Sequence, residues 1–456
     1  MNLAPGKARL RRRRPGLFTR AVLAITTMGV ILFGAAEPHA AMAMTAALSA
    51  AGVAGVLTGQ ALRGWRMRGL DAAALAAVAV HLGLIALQGL PSLGGALGVH
   101  ALDPYDARGE LLLWAGVAVG FLGGRAGATT GELGVLVRWL AIGAGLFGLA
   151  AIAAFLIAPG QVLFWPKTTH LDRLTASFRS ANTAAAFFAA GFCLAGGALL
   201  QSARSRRYRG LAPTAALLQL SGDRSWTVMA LISTAVAAAL TQSRGGFLSL
   251  ILGMTVLAAL ASPRRTQSGR RSRRGCALVL FGAALAVLLG VVALFQRSGA
   301  LELGEDPRKA AFQMMWRAFR QSPWTGWGAG GFDDLVRRFA TAQDFAALNS
   351  IGAGHNVYLQ SLAETGVIGT GALALAGAAL IWRAWRSQRR DQESPLARAG
   401  LIAAMVVLLV QGLADYALNV PAMSVLFALM LGAASSRPLV MVRRETPSEG
   451  DPPPAS

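Results

Sequence analysis

Apolar residues in this chain come in long runs, separated by short stretches that hold most of the charge. A run of about 17 to 25 residues is the length of one helical crossing of a hydrocarbon layer. Such runs fall near 17–36, 40–62, 72–90, 111–124, 139–158, 181–201, 226–242, 246–262, 276–295, 365–382, 399–413 and 421–435. The fourth is short. It is expected to extend toward 137 across a break at Gly123-Gly124-Arg125, or to lie tilted. Lipid offers no partner to backbone N–H and C=O groups, so spanning segments of this kind form helices. The pattern predicts an all-α, polytopic bundle of about 12 transmembrane helices, with one large connection between spans nine and ten.

Composition supports this reading. Of 456 residues, 54% are hydrophobic and 14% charged, against about a quarter charged in soluble domains. The net charge of +22 does not by itself exclude a nucleic-acid partner, but its placement does. The arginines sit in short loops between apolar runs, which is a topology signal and not a nucleic-acid face, so no nucleic-acid partner is expected. With both termini cytoplasmic, roughly 31 of the 43 Lys and Arg fall on the inner side, in clusters at 11–14, 63–68, 125–138, 204–209, 264–274 and 383–390. Losing one span moves several of these clusters outside. The beginning of the chain has the basic and apolar regions of a signal peptide, with Ala-rich sequence at 40–43. Its apolar run exceeds a typical signal core, so a retained first helix is expected. Cys193 and Cys276 lie in apolar runs without metal or redox spacing, as small packing residues do. The Pro-rich 445–456 segment is expected to be disordered. No fixed-period repeat is present.

Three outer connections are long: 91–110, 159–180 and about 296–364. Long ordered loops tend to carry function. The longest opens with Asp306-Pro307-Arg308, a helix start with Pro at the first position. Phe312, Met315, Trp316 and Phe319 then share one face of an amphipathic helix over 306–321, which either lies on the membrane surface or covers the mouth of the bundle. Ser322-Pro323 ends it. Gly326-Trp327-Gly328-Ala329-Gly330-Gly331-Phe332 implies tight backbone geometry, and Asp333-Asp334 are expected to cap a second helix. His355-Asn356 follows, then Leu359, Gln360, Glu364 and Gly366 leading into the tenth span. His355 is either a structural histidine or a proton-transfer group. His39, His100 and His170 are read as loop residues and His81 as lying within a span. Arg244, in Thr241-Gln242-Ser243-Arg244-Gly245-Gly246, occupies a very short outer turn. It is either an anchor to lipid phosphates or a clamp for a phosphorylated substrate. Arg173, Arg179 and Arg308 add positive charge on the same side, against the topology trend. Asp103, Asp106 and Asp172 are scattered in sequence, and no metal site is expected.

These residues resemble the O-antigen ligase and polymerase family of bacterial envelope glycan enzymes. The likeness rests on Arg173…Phe178…Asn182, Thr241-Gln242-Ser243-Arg244-Gly245, Arg308…Trp316…Pro323-Trp324-Thr325-Gly326-Trp327-Gly328…Phe332 and His355-Asn356…Leu359…Glu364-Thr365-Gly366…Gly369. It covers roughly the second half of the chain. Around Asn182 the chain reads Ala176-Ser177-Phe178-Arg179-Ser180-Ala181-Asn182-Thr183, without the Asn-Pro-Asn pattern frequent in the family. The resemblance implies an inner-membrane glycosyltransferase, metal-independent and inverting, without a cofactor. Its donor is a glycan on undecaprenyl pyrophosphate, and its acceptor is lipid A–core in the ligase branch or another lipid-linked glycan in the polymerase branch. Membrane lipids surround it. On this reading 1–16 is a basic cytoplasmic tail, 17–295 carries spans one to nine, 296–364 is a periplasmic catalytic loop, 365–435 holds spans ten to twelve, and 436–456 is a cytoplasmic tail. His355 is the expected base. Arg244 and Arg308 bind the pyrophosphate and Arg173 assists. Arg179, Asn182, Asn356 and Glu364 contact pyrophosphate or glycan, Glu364 orienting the site or binding sugar. The rivals are a transporter or flippase, against which stand the lack of clear repeated halves and the placement of most charges at the edges of spans, and a structural membrane subunit, which leaves the long cationic loop unexplained. Ligase and polymerase share donor, topology and base, so the sequence does not separate them. Reporter fusions within 296–355 should read out on the outer side. Cytoplasmic signal from that loop overturns the threading.

Overall fold

The computed structural model describes residues 15–32, 34, 36–62, 69–128, 132–162, 165–167, 171–203, 223–262, 307–348, 351–391 and 393–437. The basic clusters at 11–14, 63–68, 204–209 and 264–274, the ninth apolar run at 276–295, Cys276, His170, Asp306 and the C-terminal tail lie outside these residues.

Helices occupy the other eleven apolar runs. They are α1 (Leu17–Ile31), α2 (Pro38–Leu57), α3 (Gly69–Gln88), the short α4 (Pro91–Ala96), α5 (Pro104–Gly127), α6 (Leu133–Ile157), α7 (Ala181–Ala203), α8 (Asp223–Leu240), α9 (Arg244–Ala261), the loop helices α10 (Pro307–Gln321), α11 (Phe332–Phe339) and α12 (Phe345–Leu348), then α13 (Val357–Arg390), α14 (Pro395–Gln411) and α15 (Pro421–Ser435). A two-residue hairpin, Gln161–Val162 against Trp165–Pro166, is the sheet among the described residues. Proline at the first turn starts α2, α4, α5, α14 and α15, where its missing N–H costs no hydrogen bond. His39 therefore falls inside α2 and not in a loop. Among the described residues, six helices are long and apolar enough to cross a membrane: α2, α3, α6, α7, α9 and α13.

Helix α7 is the centre of the bundle. Within its most apolar stretch 83% of residues are buried, against 22–33% for the other five long helices, and it packs on α6, α8, α9 and α14. Its sequence is mostly Ala and Gly, and small side chains let neighbouring backbones approach closely without a hydrophobic drive between helices. The same device joins α5 to α15. A Cβ on Gly124 would overlap the Leu429 carbonyl, and one on Gly432 would overlap the Phe121 carbonyl. This corrects the expectation of a break at Gly123-Gly124-Arg125. The helix runs unbroken from Pro104 to Gly127, because those glycines serve contact between helices.

The loop helices form a small core of their own. Ala311, Met314, Met315 and Ala318 of α10 are fully buried against Phe332, Leu335, Val336 and Leu348. The apolar face is thus rotated from the expected one: Met315 is inside, Phe312 and Phe319 are half-buried, and Trp316 is exposed beside Phe319 at 5.4 Å. Helix α11 begins after Gly331, with Asp333 and Asp334 in its first turn.

This unit is fastened to the bundle by an exchange of backbone hydrogen bonds. Helix α13 is interrupted at Gly366 (φ 61°, ψ −167°). In a regular helix the N–H groups of Val367 and Ile368 would donate to Ala363 and Glu364. Here they donate to Pro323 O (2.8 Å) and Trp324 O (3.1 Å), while Ala363 O and Glu364 O accept from Trp327 N (3.0 Å) and Gly328 N (3.0 Å). The 323–328 segment replaces two helical bonds with four, so no backbone group is orphaned. The crossing requires glycine on both chains. A Cβ on Gly326 (φ 68°) would strike Glu364, and one on Gly366 would strike Trp324. Gln88 of α3 adds a third strand of contact, donating to Thr325 O (2.8 Å) and Glu364 O (2.9 Å) and accepting from Ala329 N (3.1 Å).

Far along the chain, Arg398 is 1% exposed and pairs with Asp391 (2.9 Å), while its Nη1 donates to the terminal carbonyls of α15, including Ser436 O at 2.9 Å. Arg383 pairs with Asp71 and joins α13 to α3. Gly366→Ala should lower the thermal unfolding midpoint in detergent by the equivalent of roughly 2–5 kcal/mol, from backbone strain plus overlap. Gly371→Ala, where an added Cβ meets nothing within 4 Å, should stay within about 1 kcal/mol.

Candidate functional site

Three helix N-termini meet at one end of the bundle, and polar side chains tie them together. Ser243 caps α9, accepting from Gly246 N (3.1 Å), and its hydroxyl donates to Asn182 Oδ1 on the first turn of α7 (2.7 Å). The next residue of α7, Thr183, donates to Asp415 Oδ2 (2.9 Å). Asp415 Oδ1 lies 3.6 Å from His355 Nδ1, just before α13. Asn356 caps α13 through Tyr358 N (3.1 Å) and Leu359 N (3.0 Å), and donates to Leu413 O (3.1 Å). Unsatisfied N–H groups at helix N-termini carry partial positive charge, and where several meet an anion is favoured.

The backbone at this end is strained. Among the described residues, three non-glycine residues have positive φ: Ala176 (51°), Gln242 (52°) and His355 (53°). They lie in the segment before α7, the α8–α9 turn and the turn before α13. Such conformations cost on the order of 1–3 kcal/mol each and persist where neighbours over-determine them. For the first segment those neighbours are the Leu174 N to Leu240 O bond (3.0 Å), the Ser177 hydroxyl on Val30 O (2.5 Å) and the burial of Phe178 among Phe147 and Phe187.

Around His355 the surfaces differ. Its ring meets Tyr416 edge to face at 5.0 Å. Burial, then the charge of Asp415, push the Tyr416 phenol up to about 12, while a hydrogen bond with Ser180 and the charge of Arg179 oppose the shift, so near neutral pH Tyr416 is protonated. Beside Asp415 opens a cavity of about 330 Å³ lined by Arg308, Lys309, Phe312, Gln313, Leu413 and Ala414. Two cations, an amide and apolar walls suit a phosphorylated group attached to something hydrophobic.

The expected site residues divide accordingly. His355, Asn182 and Asn356 are joined to one another through Asp415, Thr183, Ser243 and Leu413. Arg244, the first residue of α9, is exposed and has no ion pair or hydrogen bond among the described residues. Arg308 lines the cavity. Arg179 reaches the cluster through Tyr416 and also pairs with Glu37 (3.0 Å). Arg173 stands on the flanking segment. Its Nε is 3.8 Å from Asp172 and its carbonyl accepts from Lys167 (2.9 Å). Glu364 lies elsewhere, holding the glycine loop: Oε1 accepts from Gln360 (2.8 Å) and Oε2 from Gly330 N (3.3 Å). Gln360 in turn accepts from Gly354 N (3.1 Å) and Asn419 (2.9 Å), so the loop and the His355 turn share one network. His81 is buried in α3, its Nδ1 2.9 Å from Gly369 O.

Sequence reasoning missed Asp415, Thr183, Tyr416 and Lys309. The available signal was Asp415-Tyr416 in a short, otherwise apolar connection between the last two spans. Asp103 and Asp106 are also not scattered, since with Asp334 they bring carboxylate oxygens within 4.8 Å. Asp103 already caps Tyr105 N (2.7 Å) and Asp334 pairs with Arg337 (2.9 Å).

Residues 229–374 match the family described as O-Antigen ligase. The matched segment runs from α8 to the first half of α13 and contains Arg244, Arg308, the glycine loop, His355 and Glu364. The match supports an O-antigen ligase/polymerase membrane family. No curated protein matches the chain.

Because the Glu364 carboxylate accepts one hydrogen bond from Gly330 N of the glycine loop and one from Gln360 of its own helix, Glu364→Ala should reduce thermal stability by about 1–3 kcal/mol. A mutant that keeps its stability but loses acceptor affinity would instead place Glu364 on the sugar.

Proposed function

We propose that this multi-pass helical membrane protein, whose residues 229–374 carry an O-antigen ligase family domain, transfers a glycan from undecaprenyl pyrophosphate to a sugar hydroxyl of lipid A–core. In this reading it lies in the bacterial inner membrane with twelve spans and both termini cytoplasmic. Residues 296–364 form the periplasmic catalytic loop, and no metal takes part.

The observation that carries the reading is the convergence of His355, the exposed Arg244 at a helix N-terminus and the Arg308–Lys309 cavity at one end of the bundle. The leaving group is a lipid diphosphate whose negative charge grows as the glycosidic bond breaks. Arg244 and Arg308 face that charge where water is scarce, with Arg173 and Arg179 adding positive potential, and fixed cations there stabilise a developing anion strongly. Guanidinium groups keep their charge and present paired N–H donors to phosphate oxygens. The acceptor hydroxyl oxygen attacks the anomeric carbon from the face opposite the diphosphate, which inverts the centre. A new C–O bond forms, the C–O bond to phosphate breaks with its electron pair on the diphosphate, and the hydroxyl proton passes to His355. Helix α10, which carries Arg308 and Lys309 at its start and the exposed Trp316 on its outer face, lies where the lipid donor approaches, and gates its access.

The test is the lipid-linked glycan of a deletion strain complemented with variants. Loss of the gene should leave long polymer on the carrier and bare lipid A–core. Single repeat units on the carrier would assign the polymerase reaction, and unchanged glycan would reject glycan transfer. In purified protein, His355→Ala should lower turnover on the order of 10²–10⁴-fold and Arg244→Ala on the order of 10²–10³-fold, with Arg244→Lys between Arg244→Ala and wild type.

A further inference from the structure

His355 Nδ1 and Asp415 Oδ1 are both buried without a hydrogen-bond partner, and they face each other across 3.6 Å. Asp415 is 0% exposed. A carboxylate taken fully out of water needs a charged or hydrogen-bonding partner. One oxygen has it in the Thr183 hydroxyl at 2.9 Å; the other has only the imidazole. The ring cannot turn away freely. Tyr416 meets it edge to face, the His355 backbone is held in the left-handed region, and the following Asn356 is fixed by three hydrogen bonds. A shift of about 0.7 Å brings the pair to hydrogen-bond length, and catalytic contacts are often this loose before substrate binds.

We infer that Asp415 is a positioning residue for His355: it accepts the Nδ1–H hydrogen bond and leaves the Nε2 lone pair directed at the acceptor hydroxyl, with Thr183 locking the carboxylate and Tyr416 the ring. This rests on His355 being the base. When the acceptor oxygen bonds to the anomeric carbon and the diphosphate departs with the C–O electron pair, the hydroxyl proton goes to Nε2. The resulting imidazolium carries N–H at both nitrogens, and Asp415 balances its charge without taking the proton. Asp415 and Tyr416 from the α14–α15 connection meet the ring; Thr183 of α7 reaches it through Asp415, with Asn182 beside Thr183 bound to Ser243, and Ser180 and Arg179 from the segment before α7 act on Tyr416. Asp415 is the carboxylate among them. It lies outside the residues matched to the ligase family, 229–374, on the connection before the last helix, so the base and its orienting group come from separate parts of the chain.

Asp415→Asn separates orientation from packing. The amide fills the same space and still accepts from Thr183, but it offers N–H to Nδ1 and so drives the ring proton onto Nε2. Turnover by the purified full chain should fall on the order of 10²–10⁴-fold, with KM for the undecaprenyl pyrophosphate donor within roughly threefold of wild type. Ring-labelled histidine ¹⁵N spectra, with the His355 signals assigned by difference from His355→Ala, should show Nδ1–H in wild type and Nε2–H in Asp415→Asn. Thr183→Val should give a smaller fall with a mixture of tautomers, and it carries the test if Asp415→Asn does not fold. Wild-type turnover in whichever variant folds overturns the inference, as does lost turnover with an unchanged tautomer. An active His355→Ala instead overturns the underlying reading of the base.

Discussion

Everything in this fold hangs on the point where a helix gives up its own hydrogen bonds to another piece of chain. At Gly366 the donors of Val367 and Ile368 and the acceptors of Ala363 and Glu364 are all handed to the 323–328 segment. In a membrane setting an interrupted helix is tolerable only if protein satisfies what the interruption exposes. That requirement makes the loop unit and the bundle one body. The two glycines at the crossing, the Gln88 clamp and the Glu364–Gln360 pair follow from it, because each either permits the close approach or pairs a group that the approach leaves free.

The position of the break governs the chemistry. The segment of α13 before Gly366 is clasped by the loop on one side, and Gln360 joins it to Gly354 and Asn419 on the other. His355 therefore sits at the end of a short, doubly anchored piece of helix. Its left-handed φ, with those of Ala176 and Gln242, marks the three turns where the chain is bent to bring polar groups together. Helix N-termini, an exposed arginine and two cavity-lining cations give this end a positive field suited to an anion. The buried Asp415 opposes that field, placed beside the imidazole of His355.

Buried charge also holds the molecule elsewhere, but as closure. Arg398 satisfies Asp391 and the last carbonyls of α15 at once, so a helix end without water nearby is capped by a cation, as dipole and hydrogen-bond accounting both demand. Small residues do the rest of the packing, with α7 enclosed through its alanines and α5 lying on α15 backbone to backbone.

What the sequence alone determined was local or periodic: the apolar runs, the proline-marked helix starts, the amphipathic character of 306–321, the tight geometry of the glycine loop, and the candidacy of His355, Arg244 and Arg308. Each depends on residues adjacent in the chain or repeating at helical spacing, so the signal is present without a partner. Only the tertiary structure decided the remainder. Gly124 reads as a break until α15 is known to lie against it. Trp316 reads as part of one apolar face with Met315 until α11 and α12 pack on the Met314 side of the helix. Glu364 reads as a group that orients the site or binds sugar, and only the fold puts Gly330 and Gln360 on its two oxygens. Asp415 is a single carboxylate in a short apolar connection until α7 and the turn before α13 close around it. In each case the missing information was which distant backbone or side chain occupies the facing surface, and contacts between residues far apart in sequence leave no periodic trace in either segment by itself.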